Sequence, residues 1–114
     1  MQTDLFINSV RSTGDLAGVF EYDGETGYFY LYQTKGTSGT KIIDTIHIVS
    51  GVVDFTRDVI SIQWDDSQTK VALFIRNGMW AVFDCTLHQK FGGDYRVGGS
   101  PAIPTSVTFV KSPR

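Results

Sequence analysis

Cysteine is nearly absent from this chain of 114 residues, since Cys85 is the single one. One cysteine cannot form an intrachain disulfide, and the paired cysteine spacings of zinc ribbons and fingers are missing. No apolar run approaches the ~20 residues that cross a bilayer, and the first residues lack the basic and apolar regions of a secretory signal. We therefore expect a cytoplasmic protein with no membrane partner.

The sequence also lacks a large excess of charge of either sign. Lys and Arg number 10 and Asp and Glu number 12, which gives a formal net charge of −2 without any basic cluster. Binding to nucleic acid needs a basic patch that neutralises phosphates, so the composition argues against a nucleic-acid partner. The length is that of one domain, residues 1–114, with enough apolar residues for a core.

What the sequence does contain is apolar residues that alternate with a period of two, which is typical of β-strands. Residues 70–84 are the clearest case, with Asn77 and Gly78 in the middle. Asn-Gly is the preferred pair for a type I′ turn because both positions require a positive φ. With this turn, Leu73 lies opposite Val82 on a strongly apolar face, and Gly78 takes a positive φ.

A second hairpin is predicted over residues 18–32, where Asp23 and Gly24 supply a two-residue turn. In that register Gly27 lies opposite Phe20 and leaves room for the ring. One face of the hairpin carries mainly apolar side chains: Phe20, Tyr22, Phe29 and Leu31. The other face carries a row of tyrosines: Tyr28, Tyr30 and Tyr32.

The rest of the chain completes an all-β pattern. Residues 58–84 are predicted to form a three-stranded meander, and further strands are expected at residues 5–10, 41–49 and 106–110. One face of the strand at 41–49 carries three isoleucines: Ile42, Ile46 and Ile48. A flexible loop is predicted at residues 33–40 and a long loop near residues 86–104. About 7–8 strands without a helical period predict an antiparallel β-sandwich or a partly open β-barrel.

Two stretches resemble a family of small bacterial proteins with no assigned function: GVFEYDGETGYFY at residues 18–30, and KVALFIRNG followed by AVFD at residues 70–84. The resemblance extends through Trp64 and to residues 94–96. It implies a bacterial source and adds no reaction. The chain differs from the family pattern at Trp80, where a histidine is common, and at Cys85, where an aromatic residue is common.

Candidate catalytic groups are few. Cys85 with His47 or His88 would supply a thiol and an imidazole, but Asp84 beside the cysteine opposes a reactive thiolate. We therefore expect a packed, inert thiol and assign no catalytic residue.

The aspartates offer two candidate sets of metal ligands, either Asp65, Asp66 and Asp23 together or Asp44 with His47. The Asp-Asp-Ser-Gln segment lacks the ligand spacing of a calcium loop, and Asp44 and His47 point to opposite faces of a strand. We assign no metal site and expect no cofactor.

Residues 92–99 are rich in glycine, but they lack the Gly-Lys-Ser/Thr ending of a phosphate-binding loop, and no helix follows them. Arg96 is the one cation in this stretch that could bind an anion in a bidentate manner.

The tyrosine row is the strongest candidate for a binding surface. Tyr28, Tyr30 and Tyr32 either belong to an inter-sheet core or form an aromatic strip for a partner, because tyrosine is enriched at interface hot spots. The leading hypothesis is a non-catalytic domain that binds another protein or itself, as a homodimer or as a regulatory or immunity-type partner. The alternative is a small-molecule-binding domain with a pocket between the sheets or under the loop at 86–104. A hydrolase that uses Cys85 is the third hypothesis.

Overall fold

Eight strands follow one another along the described part of the chain. This computed structural model describes residues 4–35 and 41–112. The strands form two four-stranded antiparallel sheets, each in sequence order, and the sheets stack as a sandwich. The predicted all-β class is confirmed, in its sandwich form. The first sheet contains β1 (Leu5–Val10), β2 (Leu16–Tyr22), β3 (Thr26–Gln33) and β4 (Ile42–Ser50). The second contains β5 (Ile60–Trp64), β6 (Lys70–Ile75), β7 (Gly78–Asp84) and β8 (Gln89–Gly92), and a 3₁₀ turn at Arg57–Val59 precedes β5.

The core lies between the sheets, because each strand turns every second side chain toward the other sheet. The rings of Phe29 and Phe83 meet there at a centroid distance of 5.1 Å. Gly18 lets β2 approach β6 closely, since a Cβ at this position would lie 2.7 Å from a methyl carbon of Val71. The largest fully buried side chains of this core are Phe20, Phe29, Phe83, Ile48, Leu73, Ile75 and Val71.

The turn between β6 and β7 differs from its prediction by one residue. Arg76 and Asn77 hold the positive φ angles, 49° and 69°, and Gly78 is already the first residue of β7. The prediction of a positive φ at Gly78 is therefore wrong. A β-bulge at Trp80 then places Leu73 opposite Ala81 and not opposite Val82. Because of this shift, Phe83 faces the core, while the meander over residues 58–84 is confirmed.

The hairpin of β2 and β3 has a three-residue loop, residues 23–25, and not the predicted two-residue turn. The carboxylate of Asp23 accepts hydrogen bonds from the backbone N–H groups of Glu25 and Thr26, at 2.9 and 2.8 Å, which is an Asx turn. The register moves by two residues, so Gly27 lies opposite Tyr22 and not opposite Phe20. A shift of two residues leaves every side chain on its predicted face. Both faces of this hairpin are therefore as predicted.

The pairing of β3 with β4 contains a bulge that the sequence did not indicate. Leu31 lies opposite Asp44 and Tyr32 lies opposite Ile42, so Ile43 is the extra residue. The bulge turns Ile42 to the face opposite Ile46, and the prediction that Ile42 shares a face with the other two isoleucines is wrong. Residues 36–40 of the predicted flexible loop lie outside the described residues.

The chain after β7 also differs from its prediction. Asp84 accepts hydrogen bonds from the backbone N–H groups of Thr86 and Leu87, both at 3.0 Å, and the chain turns back as β8. Part of the predicted loop at 86–104 is therefore a strand. The strand predicted at residues 106–110 is wrong, since no ladder forms there within the described part of the chain.

Residues 93–112 follow β8. They begin at the edge of β4 and end beside the turn after β5, where the N–H of Asp66 donates to the carbonyl of Val110 at 2.8 Å. The ring of Phe109 packs edge-on against Phe74 of β6, with centroids 5.5 Å apart. The protein's own chain thus packs on the outer face of the second sheet, whose central apolar side chains are fully buried: Ala72 and Val82.

Candidate functional site

A trough of about 440 Å³ lies on the outer face of the first sheet, which points away from the core. Ala17 and Val19 of β2 form its floor, and they are buried by the taller side chains around them. The rim is open, because Phe6 and Val10 are 52% and 51% exposed. Residues of β1 line one side, and residues of β3, β4 and the loop between them line the other: Phe6, Asn8 and Val10, then Tyr30, Tyr32, Thr34 and Ile42.

All three tyrosines of the predicted binding row lie on this outer face, half buried. Tyr30 and Tyr32 line the trough, whereas Tyr28 lies beside it. The rings of Tyr28 and Tyr30 are stacked at a centroid distance of 6.2 Å, and Tyr28 meets the His47 ring edge-on at 5.5 Å. Tyr28 therefore packs against the Tyr30 ring on the side away from the trough and does not line the trough itself.

The β1 side of the trough was missed by the sequence analysis. Phe6 and Val10 lie on the outer face because Leu5 faces the core and strand residues alternate. That alternation was visible in the sequence, but the pairing of β1 with β2 was not. Ile42 was missed for a different reason, since only the bulge at Ile43 turns it toward Tyr32.

The electrostatic character of the trough is set by Glu21. Its carboxylate has one polar contact among the described residues, the hydroxyl of Tyr30, which donates to it at a long distance of 3.4 Å. Burial of the ring, and then the Glu21 charge, raise the pKa of the Tyr30 hydroxyl above its usual value. No Lys or Arg is among the described residues that line the trough. The trough is therefore apolar with one uncompensated negative charge.

A second polar cluster lies at the far end of β4. The ring nitrogens of His47 contact the carboxylate of Asp94 at 2.9 Å and the hydroxyl of Ser50 at 2.8 Å. A bulge at Ile48 brings His47 and Ser50 to one face, although a regular strand would place them on opposite faces. This cluster was not predicted from the sequence, where His47 was a candidate partner only for Cys85 or Asp44.

The order serine, histidine, aspartate is that of a hydrolase triad. A hydrolase also needs free N–H donors for an oxyanion and a concave substrate site. The N–H nearest to the serine on its C-terminal side, that of Gly51, already donates to the carbonyl of Glu25 at 2.6 Å. Ser50 is exposed, and the Asp94 side chain is 80% exposed. The cluster fits a surface network that fastens residue 94 to β4.

Arg96 lies far along the chain from the trough and does not line it. Its side chain is exposed and makes no hydrogen bond or ion pair to any described residue. The carbonyl of Arg96 accepts the N–H of Gly99 at 3.0 Å, so the glycine-rich stretch forms a turn here. The structure therefore does not bring Arg96 together with the tyrosine row.

Cys85 is half buried beside the core, and burial raises the pKa of its thiol to about 11. No hydrogen bond joins it to His47 or His88 among the described residues, and His88 is exposed at a turn with φ of 54°. A thiol with a raised pKa is a poor nucleophile.

The aspartates considered as metal ligands have structural partners. Asp65 is buried and accepts the N–H groups of Thr69 and Lys70 at 3.0 and 3.1 Å, which closes the turn between β5 and β6. Asp44 pairs with the ammonium group of Lys90 at 2.8 Å. In the part of the chain that the structure describes, no three metal-ligating side chains converge.

Comparison with known proteins places the chain among bacterial relatives. The family model described as "Uncharacterized protein conserved in bacteria (DUF2251)" matches residues 1–95. The chain belongs to this family. An uncharacterized protein of Haemophilus influenzae is 31% identical over 96 residues, which cover 74% of this chain and 58% of that relative. The chain thus spans less than two thirds of the relative's length. No solved structure matches the chain.

The resemblance seen in the sequence is thereby confirmed. The DUF2251 match includes all eight strands, the whole trough, and the residues of the His47 cluster. Residues 96–112, which include Arg96, lie beyond it. Among the described residues, no helix is long and apolar enough to cross a membrane.

Proposed function

We propose that this DUF2251 protein is a protein-binding domain and that the trough docks an apolar segment of a partner protein. The observation that carries the proposal is the contrast between the two outer faces. Both are apolar, but Phe109 packs on the face of the second sheet, whose central side chains Ala72 and Val82 are fully buried, while the trough on the first sheet stays open. Proteins rarely leave a contiguous apolar patch of this kind without a use.

The openness of the trough favours a protein partner over a small molecule. A volume of about 440 Å³ falls within the range of ~300–1,000 Å³ that is typical of ligand pockets. Such pockets, however, enclose most of the ligand surface, whereas the rim residues Phe6, Val10 and Ile42 are about half exposed here. A protein surface covers both the floor and the rim. The trough also lies at neither of the places expected for a small-molecule pocket, which were between the sheets and under residues 86–104.

The chemistry of the partner follows from Glu21. The floor and walls require apolar side chains, and the carboxylate at the Tyr30 end has only its long contact with the tyrosine hydroxyl. A cationic side chain placed there would gain a charge-assisted hydrogen bond, while an acidic one would be repelled. The preferred segment therefore combines an apolar run with Lys or Arg at one end.

Selection from a displayed library of random peptides tests this proposal with defined probes. The target is the purified domain, and the blocked variant is Ala17→Phe, whose new ring fills the floor while pointing away from the core. Ser61→Phe is the matched control, because Ser61 also points outward from a strand but lies on the other sheet.

We expect the wild type and Ser61→Phe to enrich apolar peptides that carry Lys or Arg, and Ala17→Phe to lose this enrichment. Glu21→Gln should keep the apolar preference and lose the basic one. Equal enrichment on the blocked variant would overturn the proposal, as would a preference for acidic peptides.

A further inference from the structure

The outer edge of β1 presents unpaired backbone groups. In an antiparallel ladder, the N–H and C=O groups of successive residues point alternately to one neighbour and the other. The N–H of Arg11 donates to the carbonyl of Leu16 at 2.8 Å, so the odd-numbered residues of β1 bond to β2. The backbone groups of the even-numbered residues point away from the sheet, and no described residue bonds to them: Phe6, Asn8 and Val10.

The opposite edge of the same sheet is partly covered by the protein's own chain. The N–H groups of Asp94 and Tyr95 donate to the carbonyls of His47 and Ile48 at 2.9 and 2.6 Å, along the free edge of β4. Natural edge strands are usually protected by Lys, Pro, a bulge or a short length. β1 contains no Lys or Pro, pairs with β2 without a bulge, and extends over six residues.

We propose that a second copy of this chain pairs with β1 in antiparallel orientation, which extends the first sheets of the two copies into one continuous sheet. The two-fold axis passes beside Asn8, so that Asn8 lies opposite Asn8 of the second copy and Phe6 lies opposite Val10. This is the register in which all three outward-pointing residues exchange backbone hydrogen bonds. It is self-complementary, as a two-fold interface must be.

The side chains agree with this register. Phe6 and Val10 both lie on the trough face and are about half exposed, and an aromatic residue opposite a β-branched one is a favourable cross-strand pair. The neighbouring edge strand β5 turns polar side chains outward from its sheet, Ser61 and Gln63, and offers no such pair. The dimer sets two troughs side by side on one face. The inference goes beyond the proposed function, because the copies would pair whether or not the troughs are occupied.

Sedimentation velocity over a range of protein concentrations tests the pairing. Asn8→Pro removes an outward-pointing N–H, and an edge strand tolerates proline where its N–H faces solvent. We expect the wild type to form a dimer and Asn8→Pro to remain a monomer with an unchanged circular dichroism spectrum. Asn8→Thr, which keeps the N–H, is the matched control and should remain a dimer.

Charged residues introduced at positions 6 and 10 test the register without the use of a proline variant. Phe6→Lys combined with Val10→Lys places like charges opposite each other, and we expect a monomer. Phe6→Lys combined with Val10→Glu places opposite charges across the same pairs and should restore the dimer. A wild type that stays monomeric would overturn the inference, as would a dimer that survives both Asn8→Pro and the double lysine variant. Ala17→Phe should still dimerise, so failure of trough binding and failure of pairing are distinguishable.

Discussion

The rings of Phe29 in β3 and Phe83 in β7 lie 5.1 Å apart in the centre of the core, and their contact joins the two sheets. Phe29→Ala should lower the free energy of unfolding by about 3–5 kcal/mol, the usual cost of truncating a buried phenylalanine. Tyr30→Ala, one residue further on the outer face, should cost less than half as much, because its ring is already partly exposed. Urea unfolding of both variants measures the difference. Equal losses would mean that the tyrosine row belongs to a core.

The turn between β6 and β7 makes a second prediction. Asn77 has a φ of 69°, so Asn77→Val should lower the free energy of unfolding by about 1–3 kcal/mol, the cost of a strained backbone conformation. Gly78 has no positive φ, and a Cβ there would meet its nearest neighbours at an ordinary 3.5 Å. Gly78→Ala should therefore leave the urea midpoint unchanged or raise it slightly. A large loss in Gly78→Ala would instead support a turn at residues 77 and 78, in which Gly78 has a positive φ.

Strand faces could be predicted from the sequence because each strand buries one side, and burial imposes the period of two that is visible in the residues. Loop lengths could not be predicted in the same way. Asp23-Gly24 is compatible with a two-residue turn, yet the Asp23 carboxylate caps two further N–H groups and selects a longer loop. The register error was harmless there because it was an even number of residues.

The bulges had larger consequences and left no local signal. The bulge at Trp80 decides whether Val82 or Phe83 faces the core, and both residues are equally suited to burial. The bulge at Ile43 decides whether Ile42 reaches the trough. The trough itself combines residues of four strands. Two of its tyrosines could be predicted from one hairpin, whereas Phe6 and Val10 required the pairing of β1 with β2.

A third prediction concerns acid stability at the turn between β1 and β2. The Arg11 guanidinium binds the carboxylate of Asp15 at 2.6 Å, and this contact holds the pKa of Asp15 well below its usual value. In the unfolded chain Asp15 has the ordinary pKa of an aspartate, about 3.9, so the unfolded state binds more protons than the folded state near and below that pH. The stabilisation is present above about pH 4 and is lost as the pH falls toward the folded pKa.

Asp15→Asn should consequently flatten the decline of the thermal midpoint below about pH 4 and leave the slope at neutral pH unchanged. Glu25→Gln is a suitable control, since Glu25 is an exposed acidic residue in the next turn. An acid profile that is identical in the wild type and Asp15→Asn would contradict the prediction.

A fourth prediction concerns Cys85, whose thiol has a pKa of about 11 because of burial. Only a small fraction is thiolate at neutral pH, so iodoacetamide should react slowly with the folded protein and much faster in urea. A cysteine introduced by Val52→Cys into a Cys85→Ser background provides a matched exposed thiol, because Val52 is 85% exposed. Mass spectrometry at timed intervals measures both rates. If Cys85 in the folded protein reacted as fast as the exposed thiol, the result would support the hypothesis that Cys85 is a nucleophile.

The last prediction concerns the cluster of Ser50, His47 and Asp94, in which the imidazole contacts both partners within 2.9 Å. A catalytic serine would react with a fluorophosphonate, because the reagent mimics an acyl substrate and needs an activated hydroxyl. We expect no adduct on Ser50 by mass spectrometry, since Ser50 is exposed and the adjacent Gly51 N–H is already donated to Glu25. If the cluster instead fastens residue 94 to β4, Asp94→Ala should speed the hydrogen exchange of the Tyr95 amide, which donates to Ile48. Stoichiometric labelling of Ser50 that disappears in His47→Ala would establish a nucleophile and contradict the non-catalytic proposal.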